Sequence, residues 1–189
     1  MKIRYVLNPL YWPCWAALGL MRVLILLPYT TQLRLGLWLG RGLSYINSRG
    51  RRTAITNINL CFPNMSSYEK KQLLNKNFES MGIFVFEVAL ALWGSDRALS
   101  RIPFEINADA MQAFDAAIAK GKGVLFAGPH FSSLEIVGRL FSMRHPFGAM
   151  YRQNKSPFLE HLLRPALEKN YAAVVERREL KIDSSSSRR

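Results

Sequence analysis

The longest apolar stretch of the chain lies near its amino end, from about Tyr5 to Leu27. It approaches the ~20 apolar residues that span a bilayer, although Arg22 near its centre would be costly in lipid. The stretch therefore predicts a membrane segment, either one tilted spanning helix or a helix lying in the interface with its basic side chains toward the headgroups. A signal peptide is the least favoured alternative, because apolar residues continue past Pro28 and no small-residue cleavage site follows.

A second apolar patch, residues 33–43, is followed by a basic cluster of Arg49, Arg51 and Arg52. By the positive-inside rule, this cluster and the domain after it face the cytoplasm. The arginines either contact lipid headgroups or form an ordinary solvated charge run. We expect residues 1–45 to be a membrane-anchoring segment.

The next part of the chain is predicted to be mainly helical. Residues 57–64 form a short connection, after which Ser66 and Glu69 supply a capping box that opens a helix. This helix runs to about Ser80, and the apolar residues 81–93 either continue it or form a second helix.

Beyond Gly94, short apolar runs alternate with helical patterns. Asn107 caps one helix, residues 133–143 form a second, and a third opens at Pro157, where Pro165 is expected to kink or divide it. The apolar runs predict four strands, at residues 104–106, 124–127, 147–151 and 172–175. Strands separated by helices imply right-handed crossovers and a mainly parallel sheet. The predicted fold class is thus α/β: an N-terminal membrane helix, further helices and a mainly parallel sheet, which four strands leave incomplete at its edge.

A candidate catalytic pair follows the predicted strand 124–127. His130 falls on the strand-to-helix loop and Glu135 in the first turn of the next helix, so that a carboxylate can approach an imidazole. An imidazole held in this way can take a proton from a hydroxyl nucleophile near neutral pH. Two alternatives remain open, because Ser132 and Glu135 also fit a capping box and His130 could simply bond a backbone carbonyl. Both His130 and Arg152 follow carboxyl ends of predicted parallel strands, where active sites of such sheets lie, and this favours the catalytic interpretation.

Charge narrows the choice of partners. The chain carries 26 Lys and Arg against 13 Asp and Glu, a net charge of +13, which favours an anionic partner. Because 49% of the residues are hydrophobic and the arginines match no nucleic-acid motif, we expect a membrane rather than a nucleic acid. Cys14 and Cys61 lack a metal-ligand spacing, and His145 and His161 belong to no motif, so neither a disulfide framework nor a metal site is expected.

Three stretches give the chain a family resemblance from about residue 5 to Leu180. They are Arg51-Arg52 with residues 57–63, residues 128–135 followed by Gly138-Arg139, and residues 151–154. In this order they resemble the lysophospholipid acyltransferase superfamily, and within it the bacterial late acyltransferases of lipid A biosynthesis, the lauroyl and myristoyl acyltransferases.

The resemblance implies a reaction and a place for it. In that family a histidine is the general base and an acidic residue orients it, so His130 would deprotonate an acceptor hydroxyl while Glu135 holds the ring. The hydroxyl, on a phosphorylated glycolipid that is a lipid A precursor, would attack the thioester of an acyl carrier protein. The implied location is the inner membrane, with the catalytic domain on the cytoplasmic side, and no cofactor is implied besides the acyl donor.

The resemblance also implies substrate-binding residues. Arg152 would bind a phosphate through its guanidinium fork, and Asn154 would support the same loop by hydrogen bonds. Gly128 would allow a close approach of the backbone to the substrate. Arg139 is the weaker candidate, because on a helix it can simply reach solvent.

The carboxyl end departs from the family pattern. Members of the family continue for about another hundred residues, on the scale of an ordinary domain, whereas residues 181–189 form a Ser-Arg tail that is predicted to be disordered. We therefore expect residues 46–180 to be the N-terminal part of an acyltransferase-like α/β domain. The alternative function is a truncated, catalytically inactive membrane-bound remnant that binds anionic lipid.

Overall fold

The computed structural model describes residues 8–46 and 48–176 of the chain. This part is mostly helical and holds one small sheet. A 3-10 turn at Pro9–Tyr11 precedes helices α1 Trp12–Leu24, α2 Tyr29–Ser44, α3 Arg49–Cys61, α4 Ser67–Trp93, α5 Asp96–Leu99, α6 Ala108–Ala119, α7 Leu134–Ser142 and α8 Pro157–Asn170. The strands are β1 Gly148–Tyr151 and β2 Ala173–Glu176.

Helices α2 and α4 pack antiparallel with their backbones in contact. A Cβ on Gly36 would lie 2.7 Å from the Cα of Ile83, and a Cβ on Gly40 or Gly82 would overlap the backbone of the opposite helix. Small residues allow this close approach because nothing projects between the two backbones. The three glycines therefore fix how these helices cross.

Helix α4 has the start that the sequence predicts. The Ser66 hydroxyl accepts a hydrogen bond from the Glu69 amide, and the Glu69 carboxylate accepts one from the Ser66 amide at 2.8 Å. The helix then continues without a break to Trp93, where Gly94 caps it. The apolar residues 81–93 thus continue the same helix and do not form a second one.

The hydrophobic core lies where the carboxyl end of α4 meets α7, α5 and the turn after α1. Leu90 and Leu99 are almost completely buried there, and Ile136 and Leu140 of α7 pack against them. Ile25 closes the cluster from the amino-terminal side. Burial of this apolar surface holds the amino end of α7 in a fixed place against α4.

The sheet is parallel, as predicted, but smaller. Strand β1 pairs with β2 so that Gly148 lies opposite Ala173, and α8 connects the two strands. The predicted strands at 104–106 and 124–127 are wrong, because both segments lack regular structure. A strand exists only through hydrogen bonds to a neighbour, and among the described residues no strand lies beside either segment.

The predicted amino-terminal membrane segment is interrupted in the structure. Helix α1 ends at Leu24 and α2 begins after Pro28, so the prediction of one spanning helix is not confirmed. Over residues 8–46 and 48–176, no helix combines the length and the apolar character needed to cross a membrane. Residues 5–7, at the start of the predicted segment, lie outside the described ranges, as does the predicted tail 181–189.

Two local predictions also need correction. The connection expected at residues 57–64 begins later, because α3 continues to Cys61. Helix α8 is not divided at Pro165, which lies inside it, and a kink there stays a prediction. Asn107 does cap α6 as predicted, since its side chain accepts hydrogen bonds from the amides of Asp109 and Ala110.

Candidate active site

The segment that carries His130 is a long irregular connection between α6 and α7. Gly121 and Gly123 begin it with φ values of +65° and +76°, a region that favours glycine. The chain then runs without helix or strand to Phe131. Leu125 is almost fully exposed, while Phe126 packs on Phe114 with ring centroids 5.6 Å apart.

His130 lies exposed near the end of this connection, and Glu135 lies half-buried in the first turn of α7. Burial raises the pKa of the Glu135 carboxyl above its ordinary value of 4.5, and the charge of His130 partly offsets this rise. The two groups therefore interact electrostatically, although no hydrogen bond joins them in the described part of the chain. An exposed imidazole and a half-buried carboxylate thus lie five positions apart across the start of α7.

The capping-box alternative for Glu135 is wrong. The residue that caps α7 is Ser133, and its side chain makes no capping hydrogen bond. Ser132 lies one position before the cap, so the predicted pairing of Ser132 with Glu135 does not form. Because the Glu135 carboxylate is not used by the helix start, its oxygens remain available to the imidazole.

Arg139, one turn further along α7, is buried. Its guanidinium donates to Asp96 at 2.5 Å and lies 3.4 Å from the Ser142 hydroxyl, while its Nε has no hydrogen-bond partner. The ion pair joins α7 to the start of α5. This placement favours a role in holding α7 over the predicted contact with substrate.

Tyr171 is a site residue that the sequence patterns did not reveal. A Cβ on Gly138 of α7 would lie 3.0 Å from the Tyr171 hydroxyl oxygen. Burial, together with the nearby charge of Glu135, raises the pKa of Tyr171 to about 12, and the charge of Arg139 opposes this. No local signal could identify it, because Tyr171 reaches α7 only through the fold.

The chain around Tyr171 is held in place on both sides. The Asn170 side chain donates to the carbonyl of Ala91 at 2.9 Å and lies 3.5 Å from that of Leu92, both in the last turn of α4. The Ala172 amide donates to the carbonyl of Phe147 just before β1. The position of the tyrosine is therefore set by α4 and by the sheet.

The other predicted substrate-binding residues lie on exposed loops. Arg152 and Asn154 are exposed on the loop after β1, and Gly128 is exposed on the connection before α7. The Asn154 amide donates to Glu160 at 2.8 Å, and its side-chain oxygen accepts from the Ser156 amide at 3.0 Å. These hydrogen bonds join Asn154 to other residues of its loop and of α8, whereas substrate contacts by Arg152 and Asn154 stay predictions.

Space around Gly128 is open, since a Cβ there would meet nothing within 4 Å. The structure brings His130 and Glu135 to the amino end of α7, with Arg139 and Tyr171 behind them. It does not bring Arg152 into contact with this group. Among the residues described, no group of three or more His, Cys, Asp or Glu side chains could hold a metal ion.

Comparison with known protein families identifies the family of this chain. The model of the bacterial lipid A biosynthesis acyltransferases matches residues 2–182. The chain belongs to this family. The match includes His130, Glu135 and the loop of Arg152, and it confirms the resemblance seen in the sequence.

Curated members of the acyltransferase family are similar over nearly the whole chain. The lipid A biosynthesis lauroyltransferase of Escherichia coli K12 is 32% identical over 176 residues, which are 93% of this chain and 56% of that protein. The palmitoleoyltransferase of the same organism is 29% identical over 178 residues, 94% and 57% of the two chains. Its myristoyltransferase is 23% identical over 157 residues, 82% and 47% of the two chains.

The chain therefore spans about half the length of the curated acyltransferases that it matches. No solved structure matches it.

Proposed function

We propose that this protein transfers a fatty acyl chain from an acyl carrier protein to a hydroxyl of a phosphorylated glycolipid, a lipid A precursor. The observation that carries the proposal is the match of residues 2–182 to the acyltransferase family, within which the exposed His130 precedes the half-buried Glu135 at the start of α7. Family membership supports the class of reaction. The similar curated proteins, named for lauroyl, palmitoleoyl and myristoyl transfer, support a fatty acyl group as the cargo.

In the proposed reaction His130 acts as the general base. Its imidazole takes the proton of the acceptor hydroxyl as the oxygen attacks the thioester carbonyl carbon. The tetrahedral intermediate then collapses, the carbon–sulfur bond breaks, and the imidazolium returns the proton to the leaving sulfur. An ester and a free thiol result, with no net change in protonation of the enzyme.

Glu135 stabilises the imidazolium in this scheme. A carboxylate in a partly desolvated position interacts more strongly with a cation than one in water does. The same burial makes its ionised form costly, which explains the raised pKa of Glu135. Only a positive charge on His130 offsets this desolvation cost.

We further propose that the protein works at the inner membrane, with the site on the cytoplasmic side. Several large apolar side chains of α1 and the turn after it are more than half exposed: Trp12, Leu20, Val23 and Leu26. Such a surface favours contact with lipid. Arg22 does not oppose this contact directly, because its guanidinium lies over the Trp93 ring at 5.2 Å.

The net charge of +13 suits both proposed partners, the anionic acceptor and the acidic carrier protein. Complementary charge would steer both to the protein, an effect that weakens with salt. Within this scheme Arg152 binds a phosphate of the acceptor, Asn154 orders its loop, and Gly128 leaves room for the substrate. Arg139 acts indirectly by fixing α7.

The test is an acyl-transfer assay on membranes that contain this chain. Acyl carrier protein thioester and a phosphorylated, tetra-acylated lipid A precursor are supplied, and a product heavier by one acyl chain is sought by mass spectrometry. His130→Ala should reduce the rate at least about 100-fold, as expected for loss of a general base. His161→Ala, which removes an exposed histidine of α8, is the matched control and should retain the rate.

Equal rates in the two variants would overturn the role of His130. Absence of product with the unchanged chain would instead favour the alternative, an inactive membrane-bound remnant that binds anionic lipid.

A further inference from the structure

A second concave site lies away from His130, between α3 and the α2–α4 pair. Helix α3 stands off from its neighbours, and none of its residues is buried. The space left between the helices has a volume of about 720 Å³, within the range of small-molecule binding pockets. We call it the α3 groove.

Most of the wall of the α3 groove is apolar. The side chains that form it are Leu43 of α2, Ile46 just after that helix, Ala54 and Ile58 of α3, and Phe78 and Met81 of α4. Ile46 and Met81 are 56% and 51% exposed. Apolar surface gathered in a concave space and left open to water favours an apolar occupant.

One end of the α3 groove is positively charged. Ser48, Arg49 and Gly50, at the start of α3, line it, and the described residues of its wall include no acidic side chain. Arg51 and Arg52 follow in the same helical turn, which contains no acidic residue. Helix amino ends attract anions through their free amides, so this end combines two sources of positive potential.

We propose that the α3 groove binds a single-chain alkyl phosphate, an anionic amphiphile. The alkyl chain lies among the apolar side chains, and the charged headgroup lies at Arg49 and the first turn of α3. The juxtaposition of an apolar groove with an arginine-bearing helix start selects this ligand. A neutral amphiphile would lose the headgroup contact, and a free phosphate would lose the apolar one.

The α3 groove is distinct from the candidate active site. It borders α4 at Met81, whereas α7 packs against α4 at Leu90. Nine residues of helix separate these positions, roughly 13 Å along the axis. The inference assigns no step of acyl transfer to the groove, so it goes beyond the proposed function and does not depend on it.

Photo-cross-linking tests the site directly. The full chain, in nanodiscs of zwitterionic phospholipid, is irradiated with a dodecyl phosphate that carries a diazirine at its chain end, and the labelled peptides are identified by mass spectrometry. Label should concentrate on residues 53–58 and 77–81. A dodecyl maltoside with the same diazirine should label these peptides about tenfold less, since one charge-assisted contact is lost.

Two variants on α3 form a matched pair. Thr53 lines the groove and Thr56 does not, so Thr53→Trp should abolish this labelling whereas Thr56→Trp should leave it unchanged. Circular dichroism of both variants checks that the helices persist. Arg49→Gln should lower labelling about tenfold, and Arg101→Gln, which removes an exposed arginine elsewhere, should not.

Three results would overturn the proposal. Label that is spread evenly over the apolar face of α1 would indicate simple partition into lipid. Label on α3 that survives Thr53→Trp would place the probe outside the groove. Equal labelling by the phosphate and maltoside probes would remove the role of Arg49, and none of these outcomes depends on acyl transfer.

Discussion

Helices α2 and α4 touch backbone to backbone at three glycines, whereas residues 122–133, which carry His130, run without helix or strand. The first region is fixed by shape, because any added atom at Gly40 meets the opposite helix. The second is held at its ends, by the glycine turn after α6 and by the packing of α7, and in between by the Phe126 ring, which packs on Phe114 and Phe141. Reactive groups often lie on such connections, positioned by a rigid scaffold. The contrast distinguishes a closely packed helix pair that stabilises the protein from the irregular connection that carries the proposed base.

The largest change in stability that tests this contrast is expected at Gly40. Gly40→Ala should lower the free energy of unfolding by about 3 kcal/mol or more, because the new methyl group overlaps the Phe78 backbone and a backbone moves less easily than a side chain. Gly42→Ala, in the same helix with open space around it, should raise stability by up to about 1 kcal/mol through helix propensity. Chemical unfolding in a mild detergent measures both, and similar values for the two variants would disprove the backbone contact.

Truncation of one leucine in each region should give a similar difference in the free energy of unfolding. Leu90 is 2% exposed and Leu125 is 95% exposed. Leu90→Ala should cost about 3 kcal/mol of unfolding free energy, from lost burial and a cavity. Leu125→Ala should change it by less than about 0.5 kcal/mol, as surface substitutions do. A cost at Leu125 comparable to that at Leu90 would mean that the connection is packed in solution.

A smaller effect is expected at the polar contact between α2 and α4. The Tyr29 hydroxyl donates to the buried Glu87 carboxylate at 2.9 Å, and the other oxygen of Glu87 has no partner. Tyr29→Phe should therefore lower the free energy of unfolding by about 2 kcal/mol, because a buried acceptor loses its donor. Tyr45→Phe, at an exposed tyrosine, serves as the control and should have almost no effect.

The same contact predicts a dependence on pH. Burial, aided by the hydrogen bond to Glu87, raises the pKa of Tyr29 above its ordinary value of 10.0. Above that pH the unfolded chain loses the proton while the folded chain keeps it, so stability falls as the pH rises. Part of this alkaline decline should disappear in Tyr29→Phe, and an unchanged decline would contradict the assignment.

The smallest change in stability, a gain and not a loss, is expected when Glu135 is replaced. Because burial raises its pKa in the folded chain, the folded state binds more protons than the unfolded state between pH 4.5 and that raised pKa. The free energy of unfolding therefore falls with rising pH in this window and stays lowered at neutral pH. Glu135→Gln should make the protein slightly more stable at pH 7 while it abolishes the proposed acyl transfer.

Unfolding curves at pH 4 and pH 7 test the prediction for Glu135. Glu105→Gln, at an exposed glutamate, provides the comparison and should not change the pH dependence. A lower stability of Glu135→Gln at pH 7 would show that the carboxylate is a net stabilising group and not a strained one.

The elements that could be predicted from the sequence are those whose signals are local. The capping box at Ser66 and the cap at Asn107 depend on residues within one helical turn, and both formed as expected. Strands depend on a partner far along the chain, and this is why residues 124–127, although apolar, form no strand here. The division of the amino-terminal apolar stretch after Leu24 was likewise missed, because composition alone does not locate a turn.

The residues of the candidate site likewise fall into those with a local sequence signal and those without one. His130 and Glu135 could be proposed from the sequence because they lie five positions apart across a helix start, and their catalytic role stays a prediction. Arg139 was the weaker candidate for substrate binding, and its sequence context does not reveal that the side chain is buried and paired with Asp96 of α5. Tyr171 had no local signal at all, since its position near α7 is set by contacts of the neighbouring Asn170 and Ala172 with α4 and with the chain before β1.

The hydrogen bonds from Asn170 to the last turn of α4 have a consequence for the order of events during synthesis. They join residues 79 positions apart, and a ribosome that adds 5–20 residues per second needs about 4 to 16 seconds to make the intervening chain. During that interval the last carbonyls of α4, which have no partner inside the helix, must be hydrated or covered by another molecule. The wall of the site that contains Tyr171 therefore closes late, after the α2–α4 pair has had time to form.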